Sequence, residues 1–132
     1  VPSLISDFSI PGLVHAGCTS KSEVLMNVWC GSVGTGTRLH HDTADNLLAQ
    51  VVGRKQVILF DSSQTKYLHV PEDSENFSPV HVDNPDFELH PNFKNASGLT
   101  CILDPGDVLF IPGGVWHWIR ALSPSCSINF WF

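Results

Sequence analysis

The densest cluster of chemistry-bearing residues in this chain is Thr37-Arg38-Leu39-His40-His41-Asp42. In an extended strand, residues i and i+2 point to the same side. His40 and Asp42 would then project together while His41 projects away. One imidazole and one carboxylate on a common face make two-thirds of a metal site, although an H-x-D is also common as a surface or core pair. A third ligand must come from elsewhere among seven histidines. His15, His69, His81 and His90 lie in segments that read as loop or terminus. His117 instead sits in Val115-Trp116-His117-Trp118-Ile119, a strand after a Pro-Gly-Gly turn. Alternation puts Val115, His117 and Ile119 on one side and Trp116, Trp118 and Arg120 on the other. Viewed alone, His117 also reads as a hydrogen-bonded core histidine. Two histidines and one carboxylate, with coordination positions left open, form the facial arrangement of non-haem Fe(II) oxygenases. Such ligands bind with imidazole neutral and carboxylate ionised. Activity is therefore expected to fall as pH drops through the histidine range.

Positioning these side chains requires a scaffold of strands. No segment shows a sustained helical period. Short β-branched and aromatic runs occupy Val24 to Trp29, Leu47 to Val52, Gln56 to Phe60, Thr100 to Leu103, Val108 to Ile111, Val115 to Ala121 and Cys126 to Phe132. Gly, Pro, Asn and Asp punctuate them, as in Pro105-Gly106-Asp107 and Pro112-Gly113-Gly114. Many short strands with regular turn signals predict an all-β sandwich or barrel. Residues 70–98, with four prolines among acids and asparagines, read as a long functional or mobile insert.

The 132 residues suit one domain, residues 1–132, large enough to bury a core without staples. Net charge is −6, from 7 Lys and Arg against 13 Asp and Glu, and no basic run exists. Nucleic-acid binding is disfavoured, because phosphate contacts need clustered cations. No apolar run is long enough to span a membrane, and the first residues lack a signal-peptide pattern. The chain starts at Val and breaks off inside the apolar SINFWF pattern, which reads as part of a longer polypeptide. Cys18, Cys30, Cys101 and Cys126 are widely spaced without a CxxC. Free buried thiols in a reducing cytoplasm or nucleus are the expectation.

Taken in order, several runs resemble the JmjC-domain hydroxylases. They are His40-His41-Asp42, Asn46 to Lys55, Asp83-Asn84-Pro85-Asp86, Pro105 to Pro112, Trp116-His117 and Asn129-Phe130-Trp131. The likeness is nearest to the small group that includes an arginyl hydroxylase and a tRNA wybutosine hydroxylase. It covers roughly residues 24–132. It implies a double-stranded β-helix, a cupin-like jelly roll, with Fe(II) and 2-oxoglutarate in its mouth. His40, Asp42 and His117 match the family's iron ligands. Lys55 matches the lysine that pairs with the distal carboxylate of 2-oxoglutarate; a buried anion needs a cation. Without the resemblance it would read as a solvated turn lysine. Thr37 matches a hydroxyl position near the same carboxylate, or is a strand-edge threonine. Asn46 is a pocket residue or a turn cap. Ser127, Asn129 and Trp131 share one face, so Asn129 and Trp131 could touch the co-substrate, with Trp131 also readable as core. Trp29 lines the pocket in relatives but reads as core packing here. Arg120 reads as a structural pair-former.

The resemblance implies an enzyme, a dioxygenase that consumes O₂ and 2-oxoglutarate and hydroxylates a C–H of a macromolecule. A protein side chain fits the charge balance better than tRNA. A basic peptide would meet Asp73, Glu75, Asp83, Asp86 and Glu88 of the insert near the entrance. Trp29, Trp116, Trp118 and Trp131 would keep the site dry. Rival readings are a lysine demethylase, for which no aromatic cage is evident, a tRNA hydroxylase, and a non-catalytic cupin-like binding module. Further helices and strands in relatives leave room for a homodimer through flanking segments.

Overall fold

The computed structural model describes residues 9–12, 14 and 24–132. Seven strands follow in order: β1 Leu25–Gly31, β2 Asn46–Val52, β3 Lys55–Phe60, β4 Leu99–Leu103, β5 Val108–Ile111, β6 Trp116–Ala121 and β7 Ser125–Trp131. They build two antiparallel sheets, one ordered β1-β7-β2-β5 and the other β4-β3-β6. The all-β jelly-roll expectation holds. Strand ends shift by a residue or two; β6, for instance, starts at Trp116 rather than Val115. The expected reading of His15 and Cys18 falls outside the described residues.

Strand alternation divides the side chains into layers. Leu48 of the first sheet meets Val57 and Leu103 of the second, with Leu109 and Ile119 beside them. This apolar plug closes one part of the space between the sheets. The outer face of the first sheet carries Leu47, Ile128 and Phe130, packed with Val14. The outer face of the second carries Phe60, Trp116 and Trp118, packed with Leu39 and Leu68.

The insert accounts for that last cluster. Between β3 and β4 the chain runs without strands through two short 3₁₀ turns, Ser62–Tyr67 and Pro91–Asn95. Leu68 and Val80 are buried, and the buried Ser78 hydroxyl donates to the Leu68 carbonyl at 2.5 Å. The segment is thus a packed cover over the second sheet, and it places Trp116 and Trp118 beneath itself rather than around the site.

The cysteine expectation is corrected for one pair. Cys30 and Cys126 lie directly opposite each other in the β1–β7 register and are joined as a disulfide. Their separation of 96 residues hides the pairing from the sequence. Cys101 remains free and half-buried, and burial, with Asp107 nearby, pushes its thiol pKa up.

Candidate metal centre and anion pocket

His40 and Asp42 are not part of a continuous strand. His40 forms isolated bridges, one of them to His117 of β6. The His117 amide donates to the His40 carbonyl at 2.7 Å, and the His40 amide returns a bond to His117 at 3.1 Å. This doubly bonded pair sets the two imidazoles side by side, with ring centroids 4.3 Å apart. Asp42 comes in beside them, its Oδ2 3.8 Å from His117 Nε2. One donor atom from each of His40, Asp42 and His117 lies within 4.8 Å of the others. The expected side alternation holds although the strand does not: His41 turns away, edge-on to Trp116 at 4.7 Å.

The imidazole orientations are fixed from behind. His40 Nδ1 lies 2.7 Å from the Arg38 carbonyl, and His117 Nδ1 lies 3.0 Å from the Val115 carbonyl. A carbonyl only accepts, so each Nδ1 carries the hydrogen and each neutral ring turns its Nε2 lone pair forward. Such backing is the usual support for a metal-ligating histidine. Burial holds the His117 pKa below the ordinary imidazole range, and neighbouring His40 lowers it further. Both effects favour the neutral ring, the form that binds metal.

The Pro112-Gly113-Gly114 turn clamps the Asp42 segment. The Gly114 amide donates to the Asp42 carbonyl at 2.8 Å, and the Gly113 amide to Asp45 Oδ1 at 2.8 Å. A Cβ at Gly113 would sit 2.5 Å from the Thr43 carbonyl oxygen, so only glycine permits this approach. Gly36 does the same on the other flank of β6, where a Cβ would lie 2.5 Å from the Ile119 carbonyl.

A cavity of about 270 Å³ runs from this triad between the two sheets. Its lining includes Thr37, Asn46, Lys55, Asn129 and Trp131, all anticipated, and also Trp29, Leu48 and Ile119. Lys55 stands opposite Ala121 in the β3–β6 register, whereas Leu59 stands opposite His117. The lysine and the triad are therefore offset by four residues of strand, roughly 13 Å along the backbone. Lys55 is 8% exposed, and its ammonium donates to the Trp29 carbonyl at 3.2 Å. Burial lowers its pKa. Among the described residues no carboxylate pairs with it, which leaves a largely buried cation without a counter-charge.

The other polar groups of the cavity share its bias. Trp131 Nε1 is buried and, among the described residues, has no partner. The Thr37 hydroxyl accepts from the Ile119 amide at 3.2 Å, which leaves its own O–H to donate. Asn129 Nδ2 donates to Asn46 Oδ1 at 3.1 Å, and Asn129 Oδ1 accepts from Trp29 Nε1 at 2.9 Å. A largely buried ammonium and a hydroxyl whose hydrogen is left to donate fit an anion rich in acceptor oxygens.

Other expectations divide. Arg120 faces away from His117 and pairs with Asp83 at 3.2 Å, the structural role anticipated. That pair takes Asp83 to the outer side of β6, and Asp86 caps the Glu88 and Leu89 amides. Glu75 is the insert acid whose backbone adjoins the triad segment, through its carbonyl 3.1 Å from His41 Nε2. Trp29, expected as core packing, is instead 47% exposed and lines the cavity, and nothing in a sequence shows that a tryptophan carbonyl will hold an ammonium.

Comparisons with known proteins agree with this fold. A family described as a cupin-like domain matches residues 1–132. Lysine-specific demethylase 8 of Xenopus tropicalis is 44% identical over 135 residues, covering 100% of this chain and 30% of that protein. JmjC domain-containing protein F of Dictyostelium discoideum is 35% identical over 156 residues, covering 100% of this chain and 33% of that protein. The chain thus spans about a third of the length of these curated relatives. The X-ray structure of E. coli ycfD matches with a TM-score of 0.56 at 22% identity, over 81% of this chain and 24% of that one, a likeness of fold. With the sheets, the triad and the family match in agreement, the chain belongs to the cupin-like domain family, in its JmjC group.

Proposed function

We propose that this domain is the catalytic core of an Fe(II)- and 2-oxoglutarate-dependent oxygenase that hydroxylates a C–H of a protein side chain. The observation that carries the reading is the pairing of two features in one cavity. A His40–Asp42–His117 triad has both Nε2 atoms turned inward, and the Lys55 and Thr37 groups of the same cavity offer hydrogens to an anion. His40, Asp42 and His117 would hold the iron. Lys55 and Thr37 would hold the far carboxylate of 2-oxoglutarate, with Asn46, Asn129 and Trp131 along its length. When both are bound, O₂ converts 2-oxoglutarate to succinate and CO₂ and one oxygen atom enters the C–H bond. The chain's own part is to fix the ligands, neutralise the dianion and keep the cavity dry beneath Leu48 and Ile119.

The net charge of −6 favours a basic peptide over a nucleic acid as substrate. The names of some relatives favour a second reading, removal of a lysine methyl group by the same chemistry. A basic peptide library resolved by mass separates them: a gain of one oxygen marks hydroxylation, and release of formaldehyde marks demethylation.

The test of the core reading is spectroscopic. Fe(II) and 2-oxoglutarate added without O₂ should give a weak visible charge-transfer band, and O₂ should then yield succinate. Asp42→Ala should abolish both. A band that survives Asp42→Ala shows that the ligand set is wrong, and a folded wild-type protein that never takes up a divalent cation rejects the whole reading.

A further inference from the structure

We infer that Trp29 is a positioning residue that sets the direction of a hydrogen-bond relay and so makes Asn46 a donor toward 2-oxoglutarate. The inference rests on the co-substrate reading above and concerns a residue that reading leaves out.

The relay is Trp29 Nε1 to Asn129 Oδ1 at 2.9 Å, then Asn129 Nδ2 to Asn46 Oδ1 at 3.1 Å. Asn129 and Asn46 are 1% and 5% exposed, so neither can exchange its partner for water. An asparagine amide can turn over, offering oxygen or nitrogen with nearly the same shape. Two facing asparagines alone would therefore satisfy each other in either of two directions. An indole N–H, by contrast, only donates. Once Trp29 faces Asn129, the Asn129 oxygen must face Trp29, its nitrogen must face Asn46, and Asn46 must answer with its oxygen. The Asn46 nitrogen is left over. It lines the cavity and, among the described residues, donates to nothing.

The consequence is chemical. With the relay in this direction, Asn46 presents its N–H hydrogens to the cavity that Lys55 also lines. Reversed, it would present a carbonyl oxygen to a dianion, a repulsive contact in a place that excludes water. The same tryptophan also receives the Lys55 ammonium on its backbone carbonyl. Trp29 therefore touches both the cation and the amide pair, from β1, while the groups it orders stand on β2, β3 and β7.

The test replaces the N–H and nothing else. Trp29 is exchanged for β-(3-benzothienyl)alanine, which keeps the bicyclic shape and puts sulfur where the N–H was; Trp29→Phe is made in parallel. Binding of 2-oxoglutarate to Mn(II)-loaded protein is measured by calorimetry, with Mn(II) binding itself as the control. The expected result is about a tenfold weaker 2-oxoglutarate affinity in the benzothienyl protein, the loss of roughly one hydrogen bond to a charged group. Mn(II) affinity should stay within about twofold. A 2-oxoglutarate affinity unchanged in the benzothienyl protein overturns the inference and leaves the co-substrate reading intact. Equal weakening of Mn(II) and 2-oxoglutarate also overturns it, as the mark of a packing role. A wild-type protein that binds Mn(II) but no 2-oxoglutarate overturns the co-substrate reading itself.

Discussion

At the scale of single residues, the cavity is organised around groups left without partners. Among the described residues, Lys55 meets a carbonyl and no carboxylate, and Trp131 Nε1 meets nothing. Burying a charge in that state costs free energy that only a ligand returns. Lys55→Met should therefore raise the unfolding free energy of the ligand-free protein, by on the order of 1 kcal/mol, while weakening 2-oxoglutarate binding at least tenfold. Chemical denaturation and calorimetry on the same preparation check both halves. A gain in stability together with a loss of binding is the mark of a functional cation; a loss of both would mean that Lys55 holds the sheet. The lysine was legible in the sequence only through the family likeness, since Gly53-Arg54-Lys55 otherwise reads as a solvated turn. The triad was half legible. Two-residue spacing put His40 and Asp42 together without a strand to carry them, but no spacing rule says that residue 117 will lie opposite residue 40.

At the scale of elements, one turn and one cover do the positioning. The Gly113 amide and the space at its α-carbon let the β5–β6 turn clamp the Asp42 segment. Gly113→Ala should cost about 1–3 kcal/mol of stability and weaken Mn(II) binding, since the added carbon forces the Thr43 carbonyl and Asp42 outward. Urea denaturation and metal titration measure the two effects. The cover over the second sheet is fastened at the edge-to-face pair of His69 and His90, whose ring centroids lie 4.9 Å apart, and His69 Nε2 accepts from the Asn92 amide at 3.1 Å. His69 does so with a φ of 52°. Desolvation and then His90 hold the His69 pKa below the ordinary imidazole value. The unfolded chain thus binds more protons than the folded one between the lowered value and the ordinary one of about 6.5, so stability rises with pH across that window. Acidification from pH 7.5 to 5.5 should lower the urea midpoint, and His69→Gln should flatten the dependence. The strands themselves were legible because β-branched runs ended at Gly and Pro. The cover was not, because a Pro-rich polar segment gives no periodicity from which burial of Leu68 or Val80 could be read.

At the scale of the whole molecule, the fold sorts side chains by layer. Strand alternation gives one face of each sheet to the cavity and plug and the other to a covering segment, so the positions that carry chemistry are also those that face inward. Charge follows the same division, with Arg120–Asp83 and Arg54–Asp104 kept on the outside and Lys55 within. Layering was predictable from alternation, whereas the order β1-β7-β2-β5 was not, because β1 and β7 pair across nearly the entire chain. One detail of this arrangement extends beyond catalysis. β6 ends the second sheet, and its outer rim is covered by the 34–40 segment, through backbone bonds at Gly34, Thr35, Thr37 and His40 rather than by a regular strand. An ion bound by His40 and His117 would act as a clasp on that rim, suppressing local opening and denying a ready template to a stray strand from another molecule. Amide exchange at His40 and His117 should slow on adding Mn(II), and chelation should hasten assembly into larger particles, as followed by light scattering.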